Sequence, residues 1–394
     1  MTVMQDTAQH TLQDFTDRIL QASKTGQALR LRGGGTKDFL GQSLQGEVLD
    51  TSAYSGILSY EPSELVITVR CGTPLADVEA ALAQKGQCFP FEPPHFGNGA
   101  TIGGMVAAGL SGPARASVGT VRDFVLGARV INGKGEHLTF GGQVMKNVAG
   151  YDVSRLLAGS WGQLGLITEV SLKVLPVAPG EATLVCAGVT QAQALKLINQ
   201  WGGQPLPLNA SAWVHDTSAS PAQDYFFVRL RGAMAAVDAA VTKMSADVQA
   251  LGAEVTRMNA DDAANDWKAS GEQTLEFFNA PTEQDCLWRL SVAQTAPVLD
   301  VRVNGESCAQ YIEWHGAQRW LWAPASAASQ VREAALKAGG HATLFRTSPA
   351  SQQTLGDVDK QAGVYTPLNV VQQRIQNELK KQFDSAGIFN PGRA

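Results

Sequence analysis

The sequence contains few of the residues that would hold a metal cluster. Among 394 residues there are only five cysteines, an odd number, and no two form a Cys-x-x-Cys pair. Wide cysteine spacing is typical of free thiols in a reducing compartment. It also argues against an iron–sulfur centre held by this chain. The six histidines are solitary, and we expect no metal site.

Long apolar runs and basic runs are also absent. No stretch approaches the roughly 20 apolar residues of a membrane span. Lys and Arg number 31 against 36 Asp and Glu, a net charge of −5, which argues against nucleic-acid binding. The first six residues have neither the basic nor the apolar region of a secretory signal. We therefore expect a cytoplasmic protein that contacts a membrane only indirectly.

Several nucleotide-binding and catalytic motifs are missing as well. There is no G-x-G-x-x-G, no P-loop and no H-E-x-x-H. The segment Ala158-Gly-Ser-Trp-Gly162 lacks the first glycine of a nucleophile elbow. We therefore interpret Ser160 as structural.

The hydrophobic pattern predicts an α+β protein. Short strands and helices alternate before residue 178, where Leu29–Arg32, Glu64–Arg70 and Leu166–Val174 read as strands and Leu75–Gln84 as a helix. Beyond residue 178 strand–helix–strand patterns recur twice, which indicates an antiparallel sheet backed by helices. We expect three parts, residues 1–178, 179–346 and 347–394.

Three glycine-rich segments stand out between Gly33 and Gly165. The first, Arg32-Gly-Gly-Gly-Thr-Lys37, follows a strand, and its bare backbone could form an anion-binding nest or an ordinary tight turn. The second, Gly97 to Gly112, has too little side-chain volume for a core helix. It indicates either a backbone that approaches a ligand closely or a loose loop. The third runs from Val144 to Glu169.

Together with Phe389-Asn-Pro-Gly392, these segments resemble the FAD-binding domain of the vanillyl-alcohol oxidase / p-cresol methylhydroxylase (PCMH-type) superfamily. The resemblance covers about residues 25–178 and the tail. Within it, the chain is most similar to the family of smaller FAD-binding subunits of bacterial glycolate oxidases. The resemblance implies a two-part PCMH-type FAD-binding domain, an α+β cap domain with an antiparallel sheet, and a C-terminal tail that returns to the FAD domain.

The resemblance also implies which residues bind FAD. The first segment would hold the pyrophosphate through backbone N–H groups, the second would form the facing wall, and the third and the tail would reach the rings. The implied cofactor-binding residues are Arg32, Gly33, Gly34, Gly35, Thr36, Lys37, Ala100, Thr101, Ile102, Gly103, Gly104, Gly112, Gly165, Ile167, Thr168 and Asn390. Trp161 and Gln163 depart from the family pattern. No histidine or cysteine stands in Gly33–Gly35, so we expect non-covalent FAD.

Substrate chemistry has weaker sequence signals. Oxidation of a 2-hydroxy acid needs a cation for the carboxylate and a base for the hydroxyl proton. Candidate cations are Arg289, Arg346 and Arg374, and candidate bases are His341 and Tyr151. All are residue types that often have no catalytic role. Related D-2-hydroxy-acid enzymes carry a His-x-His metal pair, which this sequence lacks.

The leading hypothesis is therefore an FAD-binding subunit of a glycolate oxidase complex that oxidises glycolate, and in addition D-lactate, to the 2-oxo acid. Its partners would be a sister FAD subunit and an iron–sulfur subunit that takes the electrons onward to a membrane quinone. Two alternatives stay open. One is a self-sufficient FAD-dependent 2-hydroxy-acid or alcohol oxidoreductase, and the other is a flavin-free assembly subunit.

Overall fold

A computed structural model describes residues 2–142, 152–218, 220–353 and 357–393. Clustering of neighbouring residues divides the chain into two compact units. Unit 1 comprises residues 1–111, 119–177 and 367–394, and unit 2 comprises residues 112–118 and 178–366. Val144–Tyr151, part of the third glycine-rich segment, lies outside the described residues.

Unit 1 is a mixed α+β structure around a five-stranded antiparallel sheet. Its elements are α1 (Thr2–Thr25), β1 (Leu29–Arg32), β2 (Glu47–Asp50), β3 (Ile57–Glu61), β4 (Val66–Arg70), α2 (Leu75–Ala83), β5 (Gln87–Cys88), α3 (Ile102–Ala108), β6 (Val125–Ile131), β7 (His137–Gly141), β8 (Leu166–Lys173), β9 (Leu175–Pro176) and α11 (Val370–Phe383), with short helices α5 (Val121–Phe124) and Ser154–Leu157. The sheet order is β3-β4-β8-β6-β7.

A second, smaller pairing in unit 1 joins the two ends of the chain. Strand β1 pairs in parallel with β2, and Leu29 also forms a parallel bridge with Phe389. Phe389 packs with Phe15 and Ile19, buried residues one helical turn apart on α1. The apolar side chains of the tail therefore fix it beside the strand that precedes the glycine triplet.

Unit 2 contains an eight-stranded antiparallel sheet in the order β13-β10-β12-β11-β17-β18-β14-β19. Its elements are α4 (Arg115–Val118), β10 (Gly180–Ala187), α6 (Gln191–Gly202), β11 (Leu208–Asp216), β12 (Gln223–Gly232), α7 (Met234–Gln249), β13 (Glu254–Arg257), α8 (Ala260–Glu272), β14 (Asp285–Ser291), β15 (Arg302–Val303), β16 (Glu306–Ser307), β17 (Gln310–Glu313), β18 (Gln318–Pro324), α9 (Ala328–Lys337), β19 (His341–Arg346) and α10 (Pro349–Gln352), with 3₁₀ turns at Glu276–Phe278, Trp314–Gly316, Ala325–Ala327 and Val358–Ala362.

The two faces of this sheet differ in their cover. Helices α6, α7 and α9 pack on one face, where two apolar clusters collect alternate strand residues such as Val228 and Trp288. The opposite face carries the residues in between, among them Arg289, Tyr311 and Trp322. This second face supplies the polar and aromatic groups considered below.

The α+β class with antiparallel sheets is confirmed. The second glycine-rich segment differs from expectation, because Ile102–Ala108 forms helix α3 rather than a loop. Ile102, Met105 and Val106 supply its buried face, and the Thr101 side chain caps its first turn by accepting from the Gly104 N–H. Three large apolar residues suffice because this helix has only two turns.

Candidate functional site

The first glycine-rich segment forms a loop at the end of β1. Gly35 has a left-handed backbone, with φ of +72°. The N–H groups of Gly33, Gly34 and Gly35 donate no hydrogen bond to any other described residue. Three consecutive N–H groups are therefore available to an anion, as in a backbone nest.

The second segment lies directly against the first. A Cβ on Gly34 would stand 1.5 Å from the carbonyl oxygen of Gly99, and one on Gly33 would stand 2.2 Å from Thr101 Oγ1. Any side chain at either position would force the two segments apart. Glycine at these positions thus permits a close approach of two backbones beside the free N–H groups.

Helix α3 is held close to the end of β4 by Gly103. A Cβ added to Gly103 would lie 2.6 Å from the Cβ of Cys71. Cys71 is fully buried, and burial raises the pKa of its thiol to about 12. The thiol stays protonated, so the one cysteine of this cleft wall supplies no nucleophile for covalent attachment of a cofactor.

The tail contributes Asn390, whose side-chain amide forms hydrogen bonds to the backbone of two other segments. The Leu31 N–H donates to Asn390 Oδ1 at 2.9 Å, and Asn390 Nδ2 donates to the Trp161 carbonyl at 2.6 Å. Asn390 thus links β1 to the third segment. Its side chain holds the two backbones together, and the residue also lines the cleft.

Arg393 orders the chain that follows the glycine triplet. Its guanidinium donates to the carbonyls of Lys37 and Gln42, both at 2.9 Å, and lies 5.4 Å from the centre of the Trp161 ring. The side chain is almost completely buried. Arg393 therefore fixes both the loop after the glycines and the indole at the cleft wall.

These segments line a cleft of about 110 Å³ within unit 1. It brings together most residues expected to bind the cofactor: Arg32, Gly33, Gly34, Gly35, Thr36, Lys37, Thr101, Gly103, Gly104, Gly165, Ile167 and Asn390. It is also lined by residues that the sequence reasoning did not select: Leu31, Asp38, Leu44, Thr51, Cys71, Ala107, Ala108, Trp161, Gly162, Leu166 and Arg393. Six of these carried a sequence signal: Ala107, Ala108, Trp161, Gly162 and Leu166 lie within the glycine-rich segments, and Arg393 directly follows the tail motif.

Four expected residues do not line the cleft. Ala100 and Ile102 are buried, and the Ala100 carbonyl accepts from the Leu75 N–H. Thr168 is buried and donates through Oγ1 to the Arg129 carbonyl. Gly112 belongs to unit 2, where its carbonyl accepts from Trp314 Nε1 at 3.0 Å. A role for these four in cofactor binding stays a prediction.

Arg289 lies on the face of the unit 2 sheet opposite helices α6, α7 and α9. Its guanidinium carbon is 5.5 Å from the centre of the Phe345 ring, and it makes no hydrogen bond or ion pair with any other described residue. Burial and the nearby Arg115 lower its pKa, while Tyr365 and Glu313 act in the opposite direction. A half-buried cation without an acid partner is suited to bind an anion.

The other candidates for substrate chemistry are more widely placed. Partial burial and Arg289 lower the pKa of His341, the first residue of β19, so its ring is neutral near pH 7. Arg346, on the same strand, donates to Gln273 Oε1 at 2.9 Å. Arg374 is exposed on α11 of unit 1. Tyr151 lies outside the described residues.

Two absences hold for the described part of the chain. In residues 2–142, 152–218, 220–353 and 357–393, no group of three or more His, Cys, Asp or Glu side chains is placed to hold a metal ion. Over the same ranges, no helix is both long and apolar enough to cross a membrane.

The α+β fold and the glycine-lined cleft are those expected of the class of PCMH-type FAD-binding flavoproteins. Residues 8–141 match a family described as an FAD binding domain. The chain is 42% identical over 381 residues to the glycolate oxidase subunit GlcE of Escherichia coli, a match that covers 97% of this chain and 96% of that protein. The chain belongs to the GlcE family within this class of FAD-binding oxidoreductases, and its cofactor is FAD.

More distant relatives in sequence match a smaller part of the chain. The glycolate oxidase subunit GlcD of Bacillus subtilis is 35% identical over 33% of this chain and 27% of its own length. The mitochondrial D-lactate dehydrogenase [cytochrome] of Arabidopsis thaliana is 31% identical over 39% of this chain and 27% of its own length. A solved structure of alkyldihydroxyacetonephosphate synthase has the same fold, with a TM-score of 0.67 at 16% identity over 95% of this chain and 73% of that one.

Proposed function

We propose that this chain is an FAD-binding subunit of a complex that oxidises glycolate, and D-lactate as a second substrate, to the 2-oxo acid. The observation that carries the proposal is the similarity to GlcE along nearly the whole chain. The cleft of unit 1 supports it, because the free N–H groups of Gly33–Gly35 suit a dinucleotide pyrophosphate. When bound, FAD would accept the two electrons that the alcohol loses.

The residues of this chain would divide the work between the two units. In unit 1, Gly33–Gly35 would bind the pyrophosphate, while Asn390 and Arg393 would keep that loop in place. In unit 2, Arg289 would bind the substrate carboxylate, since it has no acid partner among the described residues. Neutral His341 would be able to accept the hydroxyl proton.

Further subunits belong to the same proposal. The five separated cysteines offer no ligand set for an iron–sulfur cluster. Burial raises the pKa of Cys71, Cys186 and Cys286 to about 12, so these thiols stay protonated. An iron–sulfur partner subunit would therefore take the electrons, and a sister FAD subunit related to GlcD would share substrate oxidation. Any contact of this chain with a membrane would be through these partners.

Reconstitution of the complex tests the proposal. The chain is combined with the sister and iron–sulfur subunits, and reduction of an artificial acceptor by glycolate is followed. The control replaces this chain with Gly103→Trp, whose side chain cannot fit against Cys71 and would prevent FAD binding. We expect activity with the native chain and its loss with the variant.

Two results would contradict the proposal. Full activity of a complex that contains flavin-free Gly103→Trp would show that the chain serves only in assembly. Turnover of glycolate by the isolated chain at the rate of the complex would make it self-sufficient. Assembly is checked for each variant by co-purification of the three subunits.

A further inference from the structure

Unit 2 contains a second cavity that the proposed function does not use. Its volume is about 660 Å³, within the range of roughly 300–1,000 Å³ that is usual for small-molecule sites. It is lined by strand residues of the eight-stranded sheet, by helix α8 and by the turn at Glu276–Phe278. All of its lining residues belong to unit 2.

Aromatic rings form much of the wall of this cavity. Phe227, Tyr311 and Trp322 come from three strands of the sheet, Trp267 from α8 and Phe277 from the 3₁₀ turn. Phe277 packs against Tyr311 with the ring centres 5.5 Å apart, and the face of a flat ligand can stack on such an aromatic surface. The wall thus favours a planar, largely apolar molecule.

The polar groups of three of these rings take part in hydrogen bonds within the protein. Trp267 Nε1 donates to Thr183 Oγ1 at 3.0 Å, and Trp322 Nε1 donates to the Phe277 carbonyl at 2.7 Å. Tyr311 OH and Ser270 Oγ are 3.0 Å apart and hydrogen-bond to each other. The two indole N–H groups are therefore not available to a ligand, and the rings present mainly apolar surface to it.

The charged groups of the lining all have one sign. Asp216, Asp266 and Glu276 are carboxylates, and no lysine or arginine lines the cavity among the described residues. His215 lines it too, with its Nδ1 already 2.7 Å from Asp224 Oδ1. An anionic ligand would meet repulsion from Asp216, Asp266 and Glu276. Glycolate and other acids are thus poor occupants.

We infer that the cavity between the sheet and α8 of unit 2 binds an uncharged or cationic planar ring compound and rejects its anionic analogues. Two observations give the ligand class. The lining is aromatic, and its two indole N–H groups already donate hydrogen bonds within the protein. Three carboxylates line the cavity, and no lysine or arginine is among the described lining residues. The cavity shares no lining residue with the FAD cleft of unit 1, and Arg289 does not line it.

The test uses three probes that share one ring system and differ in charge: 2-naphthamide, 2-naphthoate and 2-(aminomethyl)naphthalene. Binding to the full chain saturated with FAD is measured by calorimetry and by the shift in Tm. We expect one site for the amide, at least equal affinity for the ammonium compound, and at least tenfold weaker binding of naphthoate. Absence of amide binding, or equal affinity for amide and naphthoate, would overturn the inference.

Two pairs of variants locate the binding. Ala280→Trp places an indole in the cavity from a lining loop, whereas Ala236→Trp places one on the exposed surface of α7. We expect the first to abolish amide binding and the second to leave it unchanged. Unchanged binding in a folded Ala280→Trp protein, as judged by its Tm, would refute the assignment.

The second pair tests the charge argument without filling the cavity. Asp266→Asn removes one lining carboxylate, and Asp261→Asn removes one on the same helix outside the lining. We expect only Asp266→Asn to reduce the ratio of the two affinities, for 2-naphthamide over 2-naphthoate, by about threefold or more. The same affinity ratio in both variants would contradict the role assigned to the lining carboxylates. Retained amide binding in Gly34→Ala would separate this site from the FAD cleft.

Discussion

The contact between the first two glycine-rich segments gives the sharpest prediction for cofactor binding. In Gly34→Ala the new methyl would stand 1.5 Å from the Gly99 carbonyl oxygen. Real Cβ contacts are essentially never shorter than 3.0 Å, so the segments must separate by about 1.5 Å. Such a shift displaces the N–H groups of Gly33–Gly35 from their positions beside the pyrophosphate.

The size of the effect follows from the hydrogen bonds lost. A hydrogen bond to a charged group contributes about 1.5–3 kcal/mol. Loss of one such bond would raise the Kd for FAD roughly 10- to 100-fold, and loss of two would raise it further. The assay is titration of flavin-free chain with FAD, followed by quenching of flavin fluorescence.

Gly142→Ala is the matched control, because a Cβ there would have no atom of another described residue within 4 Å. We expect it to bind FAD like the native chain. Unfolding of both variants in urea separates a local effect from general destabilisation. A Gly34→Ala protein that binds FAD with native affinity would refute the reasoning.

Three other predictions follow from single side chains. Arg289→Ala in the assembled complex is expected to raise KM for glycolate by roughly 10- to 100-fold with a smaller change in kcat, because the substrate carboxylate loses a charged hydrogen bond. Arg374→Ala, at an exposed position, is the control. An unchanged KM in Arg289→Ala would count against the assignment. Asn390→Ala leaves the Leu31 N–H and the Trp161 carbonyl without partners, so the free energy of unfolding should fall by about 2 kcal/mol in urea, while exposed Asn377→Ala should change it little. Burial lowers the pKa of His315 from 6.5 to about 4, so the unfolded chain binds a proton that the folded chain does not between these values, and stability should fall by up to about 3 kcal/mol as pH drops from 6.5 to 4. In His315→Gln that part of the pH dependence should be absent, and an unaltered profile would contradict it.

The sequence was most informative where local pattern determines structure. The strand Leu29–Arg32 has the bounds that its alternation of leucine and arginine predicts. The strand at β10 and the helix at α6 were not predicted. Val and Ala at β10 suit either state, and the Thr190 and Gln193 capping box that begins α6 was overlooked.

The cleft shows a different limit of sequence reasoning. Runs of glycine marked the backbone that comes close, since only glycine tolerates the contact of Gly34 with Gly99. Residues such as Cys71 and Thr51 reach the same cleft through tertiary packing of ordinary strand ends. Nothing local distinguishes them. The cavity of unit 2 was invisible for the same reason, because its aromatic residues come from five separate elements.

The count of flavin bound per chain tests the central claim most directly. The full-length chain is incubated with FAD, freed of excess cofactor, and its flavin absorbance is compared with its protein concentration. The account predicts one FAD per chain, released intact on denaturation because Cys71 is protonated and buried. A chain that stays folded and holds no flavin after this treatment would contradict it.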